Sequence, residues 1–475
     1  MADATPLVLN FSQLRRGDVE IVGGKNASLG EMIQTLGPKG ILVPPGFATT
    51  ADAFRAYLTA NDLDAQIGKA LDALAAGRAT LHKTGQAIRE MILGGEWPDD
   101  TRDAILAEYR ALSKTAREPD MPVAVRSSAT AEGLPDASFA GQQEPFLNVI
   151  GEAALLDACR KCYASLFTDR AISYRQIQGF SHTQVALSVG VQQMVRADTG
   201  GSGVMFSIDT ESGFPDAVLI NAAWGLGENV VQGAVDPDEY EVFKPFLGDE
   251  TKTPILEKAR GAKEIKMIHD RDGTLRNVPT SKAERAAYVL SDAEILTLAR
   301  QACVIEDHYG CPMDMEWARD GKTGTLYIVQ ARPETVQSRA DVGALKNYTV
   351  TDPGKLLIAG LSVGNAAVAG RVCIIENAAD IARFVDGSVL VTSTTDPDWV
   401  PIMKRAAAIV TDHGGRTSHA AIVSRELGLP AVVGCGSATH VLHDGQDVTV
   451  SCAGGEEGLI TEGISQITVQ EETLD

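Results

Sequence analysis

The sequence predicts a multidomain chain of α/β and α+β class, made of a large first domain, a linker and a small second domain. Three observations carry this. With 475 residues, 44% of them hydrophobic and 22% charged, the chain has room for two to four domains and an ordinary globular composition. From about Phe11 to Val336, helical patterns alternate with short β-rich runs. After the polar stretch "QSRADVGALKNY", from about Thr349, the pattern becomes a compact alternation of strands and one helix, the size of a small α/β domain.

The elements justify themselves in order. "DAFRAYLTANDLDAQIGKALDALAAG" has helical spacing. "PVAVRSS", "VALSVGVQQMV", "AVLINAAWG" and "TLYIVQARP" are short, apolar and β-branched, and read as strands. In the second domain, "GRVCIIEN", "GSVLVTST", "AAAIVTD", "PAVVGC" and "DVTVSC" read likewise. The boundaries expected are 1–337 for the first domain, 338–348 for the linker, 349–468 for the second domain and 469–475 for an acidic tail.

Composition excludes some functions. A formal charge of −21 argues against a nucleic-acid partner or an anionic membrane surface. The N-terminal stretch has no signal-peptide pattern, and no apolar run is long enough to span a bilayer. Seven scattered cysteines, an odd number, suit a reducing cytoplasm. Cys159 and Cys162 form a CxxC, but inside "LLDACRKCYASLF", which reads as an amphipathic helix. Two structural helix cysteines are expected there.

Six segments carry chemistry. In "IVGGKNASLGEM", a short strand is expected to meet two glycines, Lys25 and a helix. Such a turn lets a backbone approach a phosphate at a helix N-terminus, and equally suits a glycine turn with a solvated lysine. "PVAVRSSATAEGLPDASFAGQQEPFLNV" delivers Arg126 from a strand; its planar fork suits phosphate oxygens, or an ion pair with Glu132 or Asp136. "VGVQQMVRADTGGSGVMFSID" reads as a strand ending at Gln193, Met194 and Val195, a "TGGSG" loop containing Ser202, and a second strand. The loop can close over phosphates or simply turn a hairpin. "NAAWGLGENVVQGAVDPDEY" carries Gly225, Gly227 and Glu228, but no third glycine completes a dinucleotide fingerprint, so a Rossmann reading is poor.

In "CPMDMEWARDGKTGTLYIVQARPETV", Asp314 and Glu316 share one face of a strand, and Gln330 and Arg332 one face of the next. Hard oxygen donors on strands suit Mg²⁺ bridging nucleotide phosphates. The sixth segment is "TDHGGRTSHAAIVSRELGLP", Thr411 to Pro430. A strand turns at Gly414 and Gly415, Thr417 or Ser418 caps a helix, and His419 sits in its first turn. The positive end of the helix favours a neutral imidazole, which is a nucleophile. A phosphoryl group accepted there would lie beside backbone N–H groups and Arg416.

"GGRTSHAAIVSRELGLPAVVG" resembles the phosphohistidine domain of phosphoenolpyruvate-utilising enzymes. "VGGKNASLGEM", "VPPGFATTADAFRAYL", "AVRSSATAEGLPDASFAGQQEPFLNV", "GLGENVVQGAVDPDEY" and "YIVQARPET" match the nucleotide domain of the same family in order. The resemblance implies an ATP-grasp-like nucleotide-binding domain followed by a small swivelling β/β/α phosphohistidine domain. It implies ATP and Mg²⁺ as cofactors and His419 as the phosphorylated residue, with Arg416 beside it. On the same grounds Lys25, Arg126, Ser202, Glu228, Asp314 and Arg332 are expected around the nucleotide, Glu316 and Gln330 as Mg²⁺ and ATP ligands, and Gln193 to Val195 at the adenine. Thr417 matches a threonine modified by regulatory kinases of the family. The family's barrel domain for pyruvate and phosphoenolpyruvate needs ~250 residues. Only a short acidic tail follows residue 468, so that barrel is expected on a longer chain or on a partner protein. A pure phosphocarrier, or a dikinase for another acceptor, are the competing classes.

Overall fold

A computed structural model describes residues 6–130, 145–169, 171–172, 175, 185–210, 213–270, 273–334, 344–396 and 399–473. The chain divides into two compact units. The first comprises Met1–Val195, His269–Leu275 and Tyr327–Ala331; the second comprises Arg196–Ile268, Arg276–Leu326 and Arg332–Asp475.

The first unit is a five-stranded sheet with helices. Its strands are β1 (Val8–Asn10), β2 (Gly46–Thr49), β3 (Val123–Ala129), β4 (Phe146–Val149) and β5 (Leu187–Gln193), in the order β1-β2-β5-β3-β4. The helices are α1 (Val19–Glu31), α2 (Ala51–Ala60), α3 (Leu63–Ala75), α4 (Leu81–Leu93), α5 (Asp99–Ala116) and α6 (Glu152–Ser165). The long helical pattern expected after Ala51 is cut at Asp62, which adopts φ 53°. Leu155, Cys159, Cys162 and Tyr163 lie on one face of α6 and are buried in the main core with Phe54, Tyr57 and Val125. Burial pushes the Cys159 thiol up to about 12, so this CxxC is core packing, as its helical spacing predicts.

One local expectation is corrected. Ile21 and Val22 form no strand; they belong to α1, which breaks at Gly23 with φ 76° and ψ 163°. A Cβ at Gly23 would fall 2.2 Å from the Ser128 hydroxyl, so the close approach of this turn to β3 requires glycine. The break, rather than a strand, delivers Lys25 to a new helical start.

The second unit contains a six-stranded sheet in the order β13-β12-β6-β7-β8-β9. Its strands are β6 (Gly201–Phe206), β7 (Ala217–Trp224), β8 (Asp238–Phe243), β9 (Ile255–Ala259), β12 (Met313–Arg319) and the ends of β13 (Leu326–Pro333). A ribbon of β10 (Ile265–His269) and β11 (Leu275–Pro279) accompanies it. Short helices α7 (Glu228–Val231) and α8 (Lys282–Ala286) and the longer α9 (Asp292–Tyr309) complete this part. Because β5 and β6 sit in different sheets, the "TGGSG" segment turns no hairpin.

Register assigns the faces of this sheet. Glu316 opposes Val204, Ala318 opposes Ser202, Ser202 opposes Ala223, and Asn221 opposes Glu239. Asp314, Glu316, Ser202, Asn221, Glu239 and Glu241 therefore share one face. Met315, Trp317, Arg319 and Tyr240 share the other, where Arg319 pairs with Glu294 of α9.

The remainder of the second unit is a closed barrel in the order β15-β19-β18-β17-β16-β20-β21. These strands are β15 (Leu356–Val363), β16 (Ala367–Ile374), β17 (Val389–Thr392), β18 (Ala408–Thr411), β19 (Ala431–Val433), β20 (Asp447–Ser451) and β21 (Glu457–Glu462). Val391, Val410, Val432, Val450 and Ile460 are buried in one cluster. A second cluster, with Ile402, Ile409, Ala420, Ala421 and Val423, seats the helices α10 (Val400–Met403) and α11 (His419–Leu427). A further short helix, α12 (Ala438–Val441), precedes β20. Outside the barrel, β14 (Ala344–Thr351) pairs antiparallel with β22 (Gln466–Thr473). Residues 344–348 of the expected linker and 469–473 of the expected tail are thus strand. Their polarity suits a ribbon with little core to face, and weak hydrophobic periodicity hid them. Residues 338–343 of that linker lie outside the described residues.

Candidate active site

In the first unit, β3 is buried at every position except Arg126, which is half-buried. Alternation and the flanking core push this one side chain outward, where its guanidinium donates to the Gln330 amide oxygen at 3.3 Å. Two residues further along, Ser128 meets the Gly23 turn that precedes Lys25. The Lys25 ammonium also lies close enough to the buried Cys162 to oppose the upward push that burial gives this thiol. The structure therefore brings the Gly-Gly-Lys turn, Arg126 and Gln330 together on one unit. Glu132 and Asp136, alternatives for pairing with Arg126, lie outside the described residues.

Gln193 ends β5. Its N–H donates to the Pro45 carbonyl at 2.9 Å, and the Met194 N–H donates to that of Pro122 at 3.0 Å. The side chains of Met194 and Val195 are buried. This strand end is rigidly tied and apolar, the character an aromatic base needs beside it.

In the second unit, Ser202 is buried and its hydroxyl donates to the Gly225 carbonyl at 2.6 Å. It thereby braces the glycine turn that leads into Glu228, the first residue of α7. Asp314 is held by Arg332 at 2.7 Å, while burial raises its carboxyl above the ordinary range. Glu316 is only half-buried, so its carboxylate is the more open of the two. Among the described residues, no three His, Cys, Asp or Glu side chains form a metal cage.

The histidine segment is built as its sequence predicts. Ser418, not Thr417, is the N-cap of α11, with ψ 160° and its hydroxyl facing the Ala421 N–H. Gly428 ends the helix at φ 67°. Gly414 takes φ 110°, and a Cβ there would fall 2.9 Å from that of Ser418. His419 opens the helix, half-buried, with the Thr395 hydroxyl 2.9 Å from its Nδ1. The Thr417 hydroxyl is buried and has no partner among the described residues. The Arg416 N–H points to Glu239 Oε1 at 3.4 Å, and its guanidinium reaches the Glu456 carbonyl at 3.5 Å.

Thr395, Asp236 and Glu239 were not reached from sequence. Thr395 lies in "VTSTTDPDW", a turn-rich run whose only signal is its hydroxyls. The two acids lie in "VDPDEY", where nothing local says that they meet residues 414–416.

The fold and this arrangement define a two-part chain, an α/β region followed by a barrel that presents a histidine at a helix N-terminus. Residues 19–350 match the pyruvate phosphate dikinase AMP/ATP-binding domain, and residues 384–455 match the mobile domain of PEP-utilising enzymes. The chain belongs to the family of that AMP/ATP-binding domain. It is 52% identical to a phosphoenolpyruvate synthase of Synechocystis over 99% of this chain and 59% of that protein. Identity to the phosphoenolpyruvate synthase of Pseudomonas aeruginosa is 52%, covering 98% of this chain and 59% of that one. For the Escherichia coli enzyme it is 50%, covering 99% and 60%. The chain thus spans about three-fifths of the curated relatives it matches. Among the described residues, no helix is long and apolar enough to cross a membrane.

Proposed function

We propose that this chain carries out the ATP half-reaction of a phosphoenolpyruvate synthase: it phosphorylates its own His419 from ATP and releases AMP and inorganic phosphate. The observation that carries this reading is the Thr395 hydroxyl against Nδ1 of His419. With the Nδ1 proton donated to that oxygen, the ring lone pair sits on Nε2. In the first step Nε2 attacks the β-phosphorus of ATP. The bond from that phosphorus to the α,β-bridging oxygen breaks, and AMP leaves with the electron pair. In the second step water attacks the γ-phosphorus, and inorganic phosphate departs. A phosphoryl group remains on Nε2, and the Nδ1 proton passes to solvent through the threonine hydroxyl. The N–H groups at the first turn of α11 stabilise the charge that develops.

The nucleotide ligands are proposed residue by residue, on the likeness of their motifs. Lys25, Arg126, Ser202, Glu228, Asp314, Gln330 and Arg332 serve ATP, and Gln193, Met194 and Val195 its base. Glu316 and Gln330 offer hard oxygens for Mg²⁺, which neutralises phosphate charge when bound. The first region is read as ATP-grasp-like and the barrel as a swivelling domain. The phosphoryl group is then handed to pyruvate on a (β/α)₈ barrel outside these 475 residues. A regulatory kinase acting on Thr417 and a cytoplasmic setting complete the reading.

The test is incubation with Mg²⁺ and ATP labelled at the β- or the γ-position. Acid-labile label from the β-phosphate alone, absent in His419→Ala, supports the proposal. Retention of the γ-phosphate, or full labelling of the variant, overturns it.

A further inference from the structure

The acids of "VDPDEY" have one place in the fold and two different partners. Asp238 is structural. It is fully buried in an ion pair with the fully buried Lys263, and it accepts N–H bonds from Gly261 at 3.0 Å and Val289 at 2.9 Å. This anchors the first residue of β8 and fixes where its neighbours project. Those neighbours turn to the histidine loop. Asp236 Oδ1 accepts the Gly414 N–H at 2.9 Å. Glu239 Oε1 faces the Arg416 N–H at 3.4 Å and is steadied by the Asn221 amide at 3.3 Å.

Two further contacts lie beside these. The Thr394 hydroxyl, next to Thr395, donates to the Gln232 carbonyl at 3.1 Å. The ring of Pro237 comes within 3.2 Å of where a Cβ of Gly415 would stand. The loop of Gly414–Arg416 is thus held through its backbone N–H groups, and Thr394 through its hydroxyl, from residues 232–239. Backbone N–H groups in a glycine turn have no other local acceptor, so carboxylates brought from a distant strand are the groups that hold them.

We propose that Asp236 and Glu239 are positioning residues that latch the loop of Gly414–Arg416 in the form competent for phosphorylation of His419. This rests on the phosphorylation of His419 proposed above. The latch touches neither ATP nor the reacting nitrogen; it sets where that nitrogen stands. A misplacement of an ångström in a reacting atom costs on the order of a hundredfold in rate.

The test uses the full chain and initial rates of His419 labelling from β-labelled ATP, across ATP concentration. Asp236→Ala is expected to lower the rate at saturating ATP by about tenfold to a hundredfold. The half-saturating ATP concentration, and the affinity for a non-hydrolysable ATP analogue, should stay within twofold. Asp236→Asn keeps an acceptor oxygen and should recover most of the rate. Glu239→Gln likewise keeps an acceptor, whereas Glu239→Ala should slow labelling and, combined with Asp236→Ala, slow it further. Wild-type rates in both alanine variants, a loss of analogue affinity parallel to the loss of rate, or no rescue by Asp236→Asn would overturn the latch. Absence of label on the unmodified chain would instead sink the phosphorylation reading itself.

Discussion

The Thr395 hydroxyl and Nδ1 of His419 lie 2.9 Å apart, the first from the loop after β17 and the second from the start of α11. A hydroxyl at this place fixes the ring plane, and the proposed reaction uses the form in which it accepts from Nδ1–H and leaves the lone pair on Nε2. Thr395→Ala is expected to slow His419 labelling by about tenfold to a hundredfold. Thr395→Ser should retain most of the rate because the oxygen remains. Rapid-quench measurement of the phosphoprotein checks both.

Arg126 and Gln330 meet at 3.3 Å although 204 positions separate them. Replacing Arg126 by Ala should weaken ATP binding by about 1.5–3 kcal/mol, the usual worth of a charge-assisted hydrogen bond. Arg126→Lys should regain only part of it, since an ammonium lacks the planar fork. Calorimetric titration with a non-hydrolysable analogue gives both numbers.

The pH dependence of stability has a definite sign at Glu241. Burial, with Asp209, Glu257 and Glu456 nearby, raises its carboxyl above the ordinary value, and Arg416 offsets this only in part. The folded chain therefore binds the proton more tightly than the unfolded chain. The stability this group contributes therefore falls as pH rises above 4.5. Glu241→Gln should raise the melting temperature at pH 7 by about 1 °C, with a gain that vanishes near pH 4. A melting series across pH reads it directly.

The thiols of Cys159 and Cys162 are buried in α6, and burial raises both. A disulfide-exchange reagent should leave them unmodified in the native chain and react with both after denaturation. Mass spectrometry of the labelled peptides distinguishes the two states. Fast native labelling of either would contradict a purely structural pair.

Local signals were legible where local physics decides. The cap at Ser418, the glycine stop at Gly428 and the buried face of α11 are all written within ten residues of one another. The period of two in "MDMEW" placed Asp314 and Glu316 on one face, and the register bears this out. Ile21 and Val22 misled because β-branching favours a strand, while the helical turn that starts at Val19 continues through them to Gly23. The ribbon of β14 and β22 was hidden because its partners are more than a hundred residues apart and both are polar. Asp236 was missed for a related reason. Its partner is a backbone N–H 178 residues away, and a backbone group leaves no side-chain signature to match.

The most direct measurement is the fate of each phosphate. ATP labelled in turn at the β- and γ-positions is mixed with the full chain and Mg²⁺, and protein-bound label, AMP and inorganic phosphate are counted together. One acid-labile β-phosphate per chain on His419, with one AMP and one γ-derived phosphate released, is the result the proposed half-reaction requires. Label from the γ-phosphate with ADP as product, or β-label that persists in His419→Ala, would contradict it.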